Sequence, residues 1–399
     1  MRSLMLPLVL PLLLVSASLA ASPAHALPVA ASGWPDVQGG PAHAGYQPRA
    51  GLTGAPGLVD WSLGVKPSRA PIVVDGALYV PETTTMRKLT PTGERLPFAA
   101  GPSWWIGQPV SDGHAVYAVT FAEFGQGELR SYAPSGAVRW SAALPGANSG
   151  DNTGAAGGLV VTTSGSQCRY TCAVSTIGAY DTATGHRVWQ HDIEGEAGFE
   201  RPTLTAGRVL WPTLTTVAVP RTSAAAAEQS PAAGWRLTAL NARTGAEAWH
   251  AAGPGTLQGT AADDSTVYTA GNELCARALT DGKVRWCRAD RAYDTVAVSP
   301  GTVYATSNGH LLALDPADGR PRWNAGIGTD PVHPPVIAGG MVMLHHSAGD
   351  QSALLVLAAK DGHRLSETKL GPGLPGMLTV AGGRVYAVHD YTGLVALRP

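Results

Sequence analysis

The sequence predicts an all-β chain, an eight-bladed β-propeller of four-stranded antiparallel blades whose last blade is closed by an N-terminal strand. Three observations carry that expectation. First, a phrase of a Gly turn and an apolar pair often ending in Tyr recurs eight times: Gly76-Ala77-Leu78-Tyr79, Ala115-Val116-Tyr117, Gly158-Leu159-Val160-Val161, Gly207-Arg208-Val209-Leu210, Thr266-Val267-Tyr268, Gly301-Thr302-Val303-Tyr304, Gly340-Met341-Val342-Met343 and Gly383-Arg384-Val385-Tyr386. The spacing averages about 44 residues, which marks a repeat array and not a single core. Second, most copies are followed by a turn Gly with Trp four residues later: Gly136/Trp140, Gly185/Trp189, Gly245/Trp249, Gly282/Trp286 and Gly319/Trp323. Two units deviate, with Leu96 and Leu365 three residues after Gly93 and Gly362. Third, the eighth unit stops at Val395-Ala396-Leu397-Arg398-Pro399, before its Gly turn, and the missing piece stands near the other terminus as Gly57-Leu58-Val59-Asp60-Trp61. Splitting one blade between the termini closes the ring and removes two exposed strand edges.

The elements follow in order. Residues 1–26 read as an export signal: Arg2, an apolar stretch Leu4 to Val15, and small residues Ala24-His25-Ala26 before the expected cleavage site. That stretch is short for a bilayer span, so no transmembrane segment is expected. Residues 27–50 form a leader whose Trp34 and Tyr46 are expected to pack on one face of the array. Residues 51–399 hold the eight blades. Each has an inner apolar strand such as Pro71-Ile72-Val73-Val74, the Leu-Tyr strand, a third strand, and the Trp strand. Excess spacing places insertions at Phe121 to Gly127 and at Thr215 to Gly234, the latter with Ala224-Ala225-Ala226-Ala227 and Ser230-Pro231. The composition agrees: Val, Thr and Tyr cluster in runs bounded by the 49 Gly and 31 Pro. With 44% hydrophobic residues and a net charge of -1, the chain can bury a large core and has no electrostatic pull toward nucleic acid.

Export makes the four cysteines legible, since thiols outside the cytoplasm tend to oxidise. Cys275 and Cys287 flank the Asp281-Gly282 turn symmetrically and should face each other in a hairpin, at disulfide distance. Cys168 and Cys172 are expected to tie off a loop tip as a disulfide, although the spacing would also suit a metal if other ligands approached.

Copies such as residues 179–189 (AYDTATGHRVW), 239–249 (ALNARTGAEAW) and 313–323 (ALDPADGRPRW) resemble the pyrroloquinoline-quinone (PQQ) type propeller repeat, across essentially all of the mature chain. That family includes quinoprotein dehydrogenases, the outer-membrane assembly lipoprotein BamB, and extracellular sensor propellers with many secreted relatives. The leader around Trp34 and Gly45-Tyr46 resembles the start of the non-catalytic branches. The catalytic branch implies PQQ held between a Trp and a disulfide of two adjacent cysteines, with calcium and a catalytic Asp. This chain has no adjacent cysteines, its Trp residues mostly belong to the repeat phrase, and its carboxylates show no calcium-ligand spacing. Hydrolase, zinc-peptidase and phosphate-loop signatures are also missing from the sequence.

His345-His346 with Asp350 would point to opposite faces of a strand, so loop or surface histidines are expected there. Asp315-Pro316-Ala317-Asp318-Gly319 reads as turn chemistry. Candidate ligand groups are the residues just ahead of each inner strand, which stand at the mouth of the axial channel. They are Arg69-Ala70, Gly107-Gln108, Asp151-Asn152, Glu200-Arg201, Gln258-Gly259, Asp294-Thr295, His333-Pro334 and Gly376-Met377. This ring of mixed donors and acceptors suits a polar small molecule, a sugar or a peptide segment; Trp104-Trp105 would add an aromatic wall or a plug. The function expected is a secreted, monomeric, non-catalytic binding or scaffolding propeller for a protein, peptide or glycan partner, with no cofactor and no metal. The alternative is an exported PQQ-dependent dehydrogenase with calcium and a divergent site built on Glu200, Arg201 and Asp294.

Overall fold

The computed structural model describes residues 33–65, 67–98, 103, 105–121, 127–145, 152–165, 174–194, 201–216, 233–328, 333–389 and 393–399. Among these, the strands form eight sheets, and the helical structure is one 3-10 turn at Val37–Gly39. The expected eight-bladed propeller is what the chain forms. Seven blades take their four strands in chain order from the axis outward, each pairing antiparallel with the next. The eighth has the order Pro375–Ala381, Arg384–His389, Gly393–Arg398, then Leu58–Leu63. In that last pair Leu58 stands opposite Arg398 and Leu63 opposite Leu394, so the split blade is the ring closure the sequence implies.

The repeat phrases have a physical explanation. Tyr of the second strand is buried, and its ring leans on Trp of the outer strand of the same blade: Tyr117–Trp140 at 5.8 Å, Tyr268–Trp286 at 6.2 Å, Tyr304–Trp323 at 5.9 Å. The split blade reproduces the pair with Tyr386 and Trp61 at 6.0 Å, one residue from each end of the chain. Each Trp then reaches into the next blade. The indole N–H of Trp61, Trp140, Trp189, Trp249, Trp286 and Trp323 donates to the carbonyl of Pro91, Thr182, Ala242, Leu279, Pro316 and Ala359, at 2.7–3.0 Å. Those acceptors lie on the turn between the third and outer strands of the neighbour. The turn Gly lies under the incoming ring: a Cβ at Gly282 would meet Trp249 at 2.6 Å, and φ there is +73°. The two deviating units now make sense. Blade 8 takes its outer strand from Leu58–Leu63, so no hairpin turn joins its third and outer strands and none offers a carbonyl to a Trp of blade 7; Leu365 stands exposed, and Thr368 Oγ1 meets the Gly57 carbonyl at 3.4 Å. Between blades 1 and 2, Lys88 Nζ donates to the Pro134 carbonyl at 2.9 Å.

The disulfide expected across the blade 5 hairpin is present. Cys275 pairs with Cys287 in register, with Cα atoms 4.1 Å apart. The second pair, Cys168 and Cys172, lies outside the described residues, as do the signal segment 1–26 and the main parts of both insertions.

The leader takes a course that no sequence pattern announces. From Trp34 to Ala50 it runs around the axis as a strap, bonding the inner edge of one blade after another. Trp34 exchanges two backbone hydrogen bonds with Val73 in blade 1, and the Pro35 carbonyl takes the Ser111 N–H of blade 2. The carbonyls of Pro41, Ala42, Ala44 and Gly45 take N–H groups of Leu204, Ala262, Val298 and Ile337 in blades 4 to 7. Tyr46–Gln47 pairs parallel with blade 7, and the Ala50 carbonyl takes the Gly383 N–H of blade 8. Most of these contacts fall in the far half of each inner strand, so the strap occupies the end of the channel opposite the mouth. Gly45 (φ +70°) permits this closeness, since a Cβ would come 2.6 Å from the Pro335 carbonyl. Trp34 is fully buried.

Candidate functional site

The described members of the mouth ring do not share one environment. Arg69 is half-buried ahead of blade 1, its guanidinium donating to the Ser68 carbonyl at 2.7 Å. Gln108 is completely buried: its amide donates to the Ala70 and Pro109 carbonyls at 2.9 and 3.1 Å and so joins blades 1 and 2. The cause is a break in the blade 2 inner edge, where Trp105–Ile106 and Val110–Ser111 pair separately with the second strand and Gln108 falls between them. Asn152 is half-buried, and its carbonyl accepts from Thr163 N–H at 3.1 Å. Gln258 is exposed and donates to Thr256 Oγ1 at 3.0 Å. Asp294 is fixed through its backbone N–H on the Thr306 carbonyl at 2.9 Å. Asp151, Glu200 and Trp104 lie outside the described residues.

Arg201 on blade 4 and His333 on blade 7 lie near enough for the guanidinium charge to act on the imidazole. Burial lowers the His333 imidazole to about 4, and the Arg201 charge pushes it the same way. The same guanidinium acts on two strap residues that sequence reading missed. Asp36 is 1% exposed; burial raises its carboxyl to about 7, against the opposing pull of Arg201 and of the Val37 N–H that Oδ1 accepts. His43 is 3% exposed, lowered to about 3 by burial and then by Arg201. Its Nδ1 meets Thr203 Oγ1 at 3.2 Å, and Thr203 meets Thr260 Oγ1 at 2.9 Å, a relay from leader to blades 4 and 5. His43 also holds φ at +51°, a conformation that costs a non-glycine residue energy and persists only where surroundings enforce it. No local signal marks these residues, because their partners lie far away in the chain.

A second polar group lies between blades 7 and 8. His345 and His346 are buried, not on the surface as the sequence suggests, and they do point to opposite faces. His345 Nδ1 donates to the Gly376 carbonyl at 2.9 Å and its ring stands edge-on to His389, centroids 5.3 Å apart. His346 Nε2 reaches Glu367 at 2.8 Å. Burial first, then the charges of His389, His333 and His346, lowers His345 to about 3, with the Gly376 carbonyl opposing. Burial thus keeps His43, His333 and His345 neutral near pH 7, while Asp36, raised to about 7, is divided between its two forms there.

The donor set implied by PQQ does not fit this arrangement. The Cys275–Cys287 disulfide joins the third and outer strands of blade 5, at the periphery, and the repeat Trp residues use their N–H groups between blades. Among the described residues, the one grouping with three metal-type ligand atoms in reach is Glu273 with Cys275 and Cys287, whose sulfurs are bonded to each other. Asp315 and Asp318 bond backbone N–H groups of Ala317 and Arg320 at 2.9 Å, as turn residues do.

The comparisons agree with this architecture. A family model described as outer membrane protein assembly factor BamB matches residues 61–234, 233–290 and 290–399, and the chain belongs to this PQQ-like repeat family. Among curated proteins, none matches the chain. Three solved structures are similar in fold. BamB from Moraxella catarrhalis is 17% identical with a TM-score of 0.60, covering 86% of this chain and 99% of its own. Quinohemoprotein alcohol dehydrogenase from Comamonas testosteroni is 14% identical at TM-score 0.65, with coverage of 92% and 80%. The computationally designed Ika8 protein is 11% identical at 0.63, with coverage of 87% and 98%. At these identities the likeness concerns the fold.

Proposed function

We propose that the protein is an exported, non-catalytic propeller that binds a protein, peptide or glycan partner on its mouth face. The observation that carries this reading is the mixed ring of polar groups ahead of the inner strands, with Arg69 and Asn152 half-buried and Gln258 exposed, joined by the Arg201 charge that acts on His333 and on the strap residues Asp36 and His43. One end of the channel is lined by the leader, which leaves the mouth as the entrance for a partner. There the chain offers a guanidinium, an imidazole, the Asp294 carboxylate and the Asn152 amide, a mixed set suited to recognition through several hydrogen bonds. Export is in keeping with the disulfide. A quinone-dependent dehydrogenase draws support from one structural neighbour only at the level of fold, and the cysteine and Trp placement opposes it.

Replacing Arg201 and His333 by Ala together tests the reading. Capture of partners from culture medium should fall relative to the unaltered chain while the melting temperature stays within a few degrees. Equal capture by both chains would move the binding surface away from the mouth. Adding PQQ and calcium to the protein should change neither its absorbance nor its melting temperature; a cofactor band would reinstate the dehydrogenase.

A further inference from the structure

A cavity of about 200 Å³ opens between blades 4 and 5 at the mouth end of the molecule, on the turn Asn272-Glu273. Local chain geometry builds it. The register of the blade 5 inner and second strands shifts between Leu257 and Gly259, which leaves Gln258 as the extra residue of a bulge and turns its side chain outward. Opposite Leu257, Gly271 admits the Thr256 carbonyl, which would lie 2.5 Å from a Cβ there. Gly255 (φ +78°) does the same for the Asn272 amide, and Gly253 for the indole of Trp235, whose Cε2 would lie 2.7 Å from a Cβ. Three glycines therefore let a backbone carbonyl, an amide and an indole close in around a small space.

The groups facing that space are chemically distinct. Trp235 is 5% exposed and lines the cavity, but unlike the Trp residues of the repeat phrase its indole N–H has no hydrogen-bond partner among the described residues. The half-buried Glu273 carboxylate acts on Arg277, whose guanidinium stands 6.0 Å from the centroid of the Trp235 ring, and Asn272 is exposed at the rim. Pro254, Leu257 and Ala289 supply apolar walls. The indole only donates, the carboxylate only accepts, and the amide does both.

This inventory discriminates between ligands. A lysine or arginine side chain brings donors alone and leaves the indole N–H unanswered. A carboxylate or phosphate would be drawn by Arg277 but brings acceptors alone and leaves the Glu273 carboxylate without a donor. Hydroxyl groups donate and accept, and a ring carrying them has C–H faces that suit the apolar walls. The volume lies below the ~300–1,000 Å³ of sites for larger molecules, which fits a single ring. We propose that this cavity binds one neutral sugar unit of a glycan, held by the Trp235 N–H, the Glu273 carboxylate and the Asn272 amide. The proposal rests on the binding reading above and narrows it to a carbohydrate.

Saturation-transfer NMR and calorimetry on the full mature chain test it, with glucose, galactose, mannose and N-acetylglucosamine as probes, and N-acetyl-lysine amide and acetate as donor-only and acceptor-only controls. At least one sugar should bind, and Glu273→Ala and Asn272→Ala should each weaken it about tenfold, as expected for the loss of one hydrogen bond to the ligand. Trp235→Phe keeps the ring packing and should weaken binding by a similar factor. Lys360→Ala, on an exposed turn of blade 7, should leave sugar affinity unchanged. No sugar signal, preferential binding of the lysine probe, or sugar binding indifferent to Glu273 and Asn272 would each overturn the proposal. Sugar binding lost while Arg201 and His333 still govern partner capture removes the cavity and leaves the mouth reading standing; the converse pattern removes the mouth and leaves the cavity.

Discussion

The turn glycines show how much a single residue type can do here. Gly282 sits at φ +73° with the Trp249 ring where its Cβ would be, whereas Gly158 has φ +80° with nothing within 4 Å. Gly158→Ala should therefore cost only the left-handed backbone penalty, ~1–2 kcal/mol. Gly282→Ala adds displacement of the indole from its carbonyl, a further ~1–3 kcal/mol. Urea denaturation of the two variants should separate them in that order. The buried histidines give a second expectation. His43, His333 and His345 stay neutral in the folded chain far below their ordinary value of 6.5, and His346 and His389 are lowered as well. The unfolded chain takes up protons below about 6.5 that the folded chain refuses, so their stabilisation is complete above that pH and is lost as pH falls toward 4. Asp36, raised to about 7, has the opposite sign, because the folded chain keeps a proton that the unfolded one releases above about 4. Five imidazoles outweigh one carboxyl, so melting temperature should fall between pH 6.5 and 4; a flat profile would show that these rings are hydrated and titrate normally. Turn glycines and repeat Trp residues could be read from the sequence because each repeats at fixed spacing. Asp36 and His43 could not, since their roles come from Arg201 and Thr203 some 160 residues away.

At the scale of elements, the sequence shows strands best and their connections less well. Period-two apolar runs bounded by Gly specify the inner and second strands, and the cysteine spacing around Asp281-Gly282 specifies the register of the blade 5 hairpin. Aligned on their Gly turns, the units place the mouth ring only as well as every inner strand begins alike. That placement misjudges Gln108, because the blade 2 inner strand is interrupted and folds that side chain inward. The strap escaped notice for a different reason: it bonds most blades once, so no stretch of it carries a strand's periodicity. The Cys275–Cys287 bond ties an outer strand only five residues long, Val284–Arg288, to its neighbour. Replacing both cysteines by Ala should lower stability by roughly 2–3 kcal/mol on the chain-entropy view of a short loop. Hydrogen exchange should show the loss of protection concentrated in that strand; uniform loss across blades would mean that the bond acts on the whole ring.

The whole molecule is a circle in which six of the eight blades hold the next through one Trp and one carbonyl, and stability is shared along the ring much as in other repeat arrays. A circle needs a join. The strands Leu58–Leu63 and Gly393–Arg398 provide it, supported by Asp60, which meets Arg384 at 2.8 Å and Arg398 at 3.4 Å. The arrangement of the inner strands around the axis, and with it the proposed binding face, depends on that closure. The most direct measurement replaces Ser62 and Val395, which stand opposite one another in this pair, by cysteines and maps the disulfides of the oxidised monomer. Paired residues in antiparallel strands bring their Cβ atoms within disulfide reach, so the account predicts an intrachain link between residues 62 and 395 and a higher melting temperature. Free thiols at both positions, or links formed only between molecules, would contradict the closed ring.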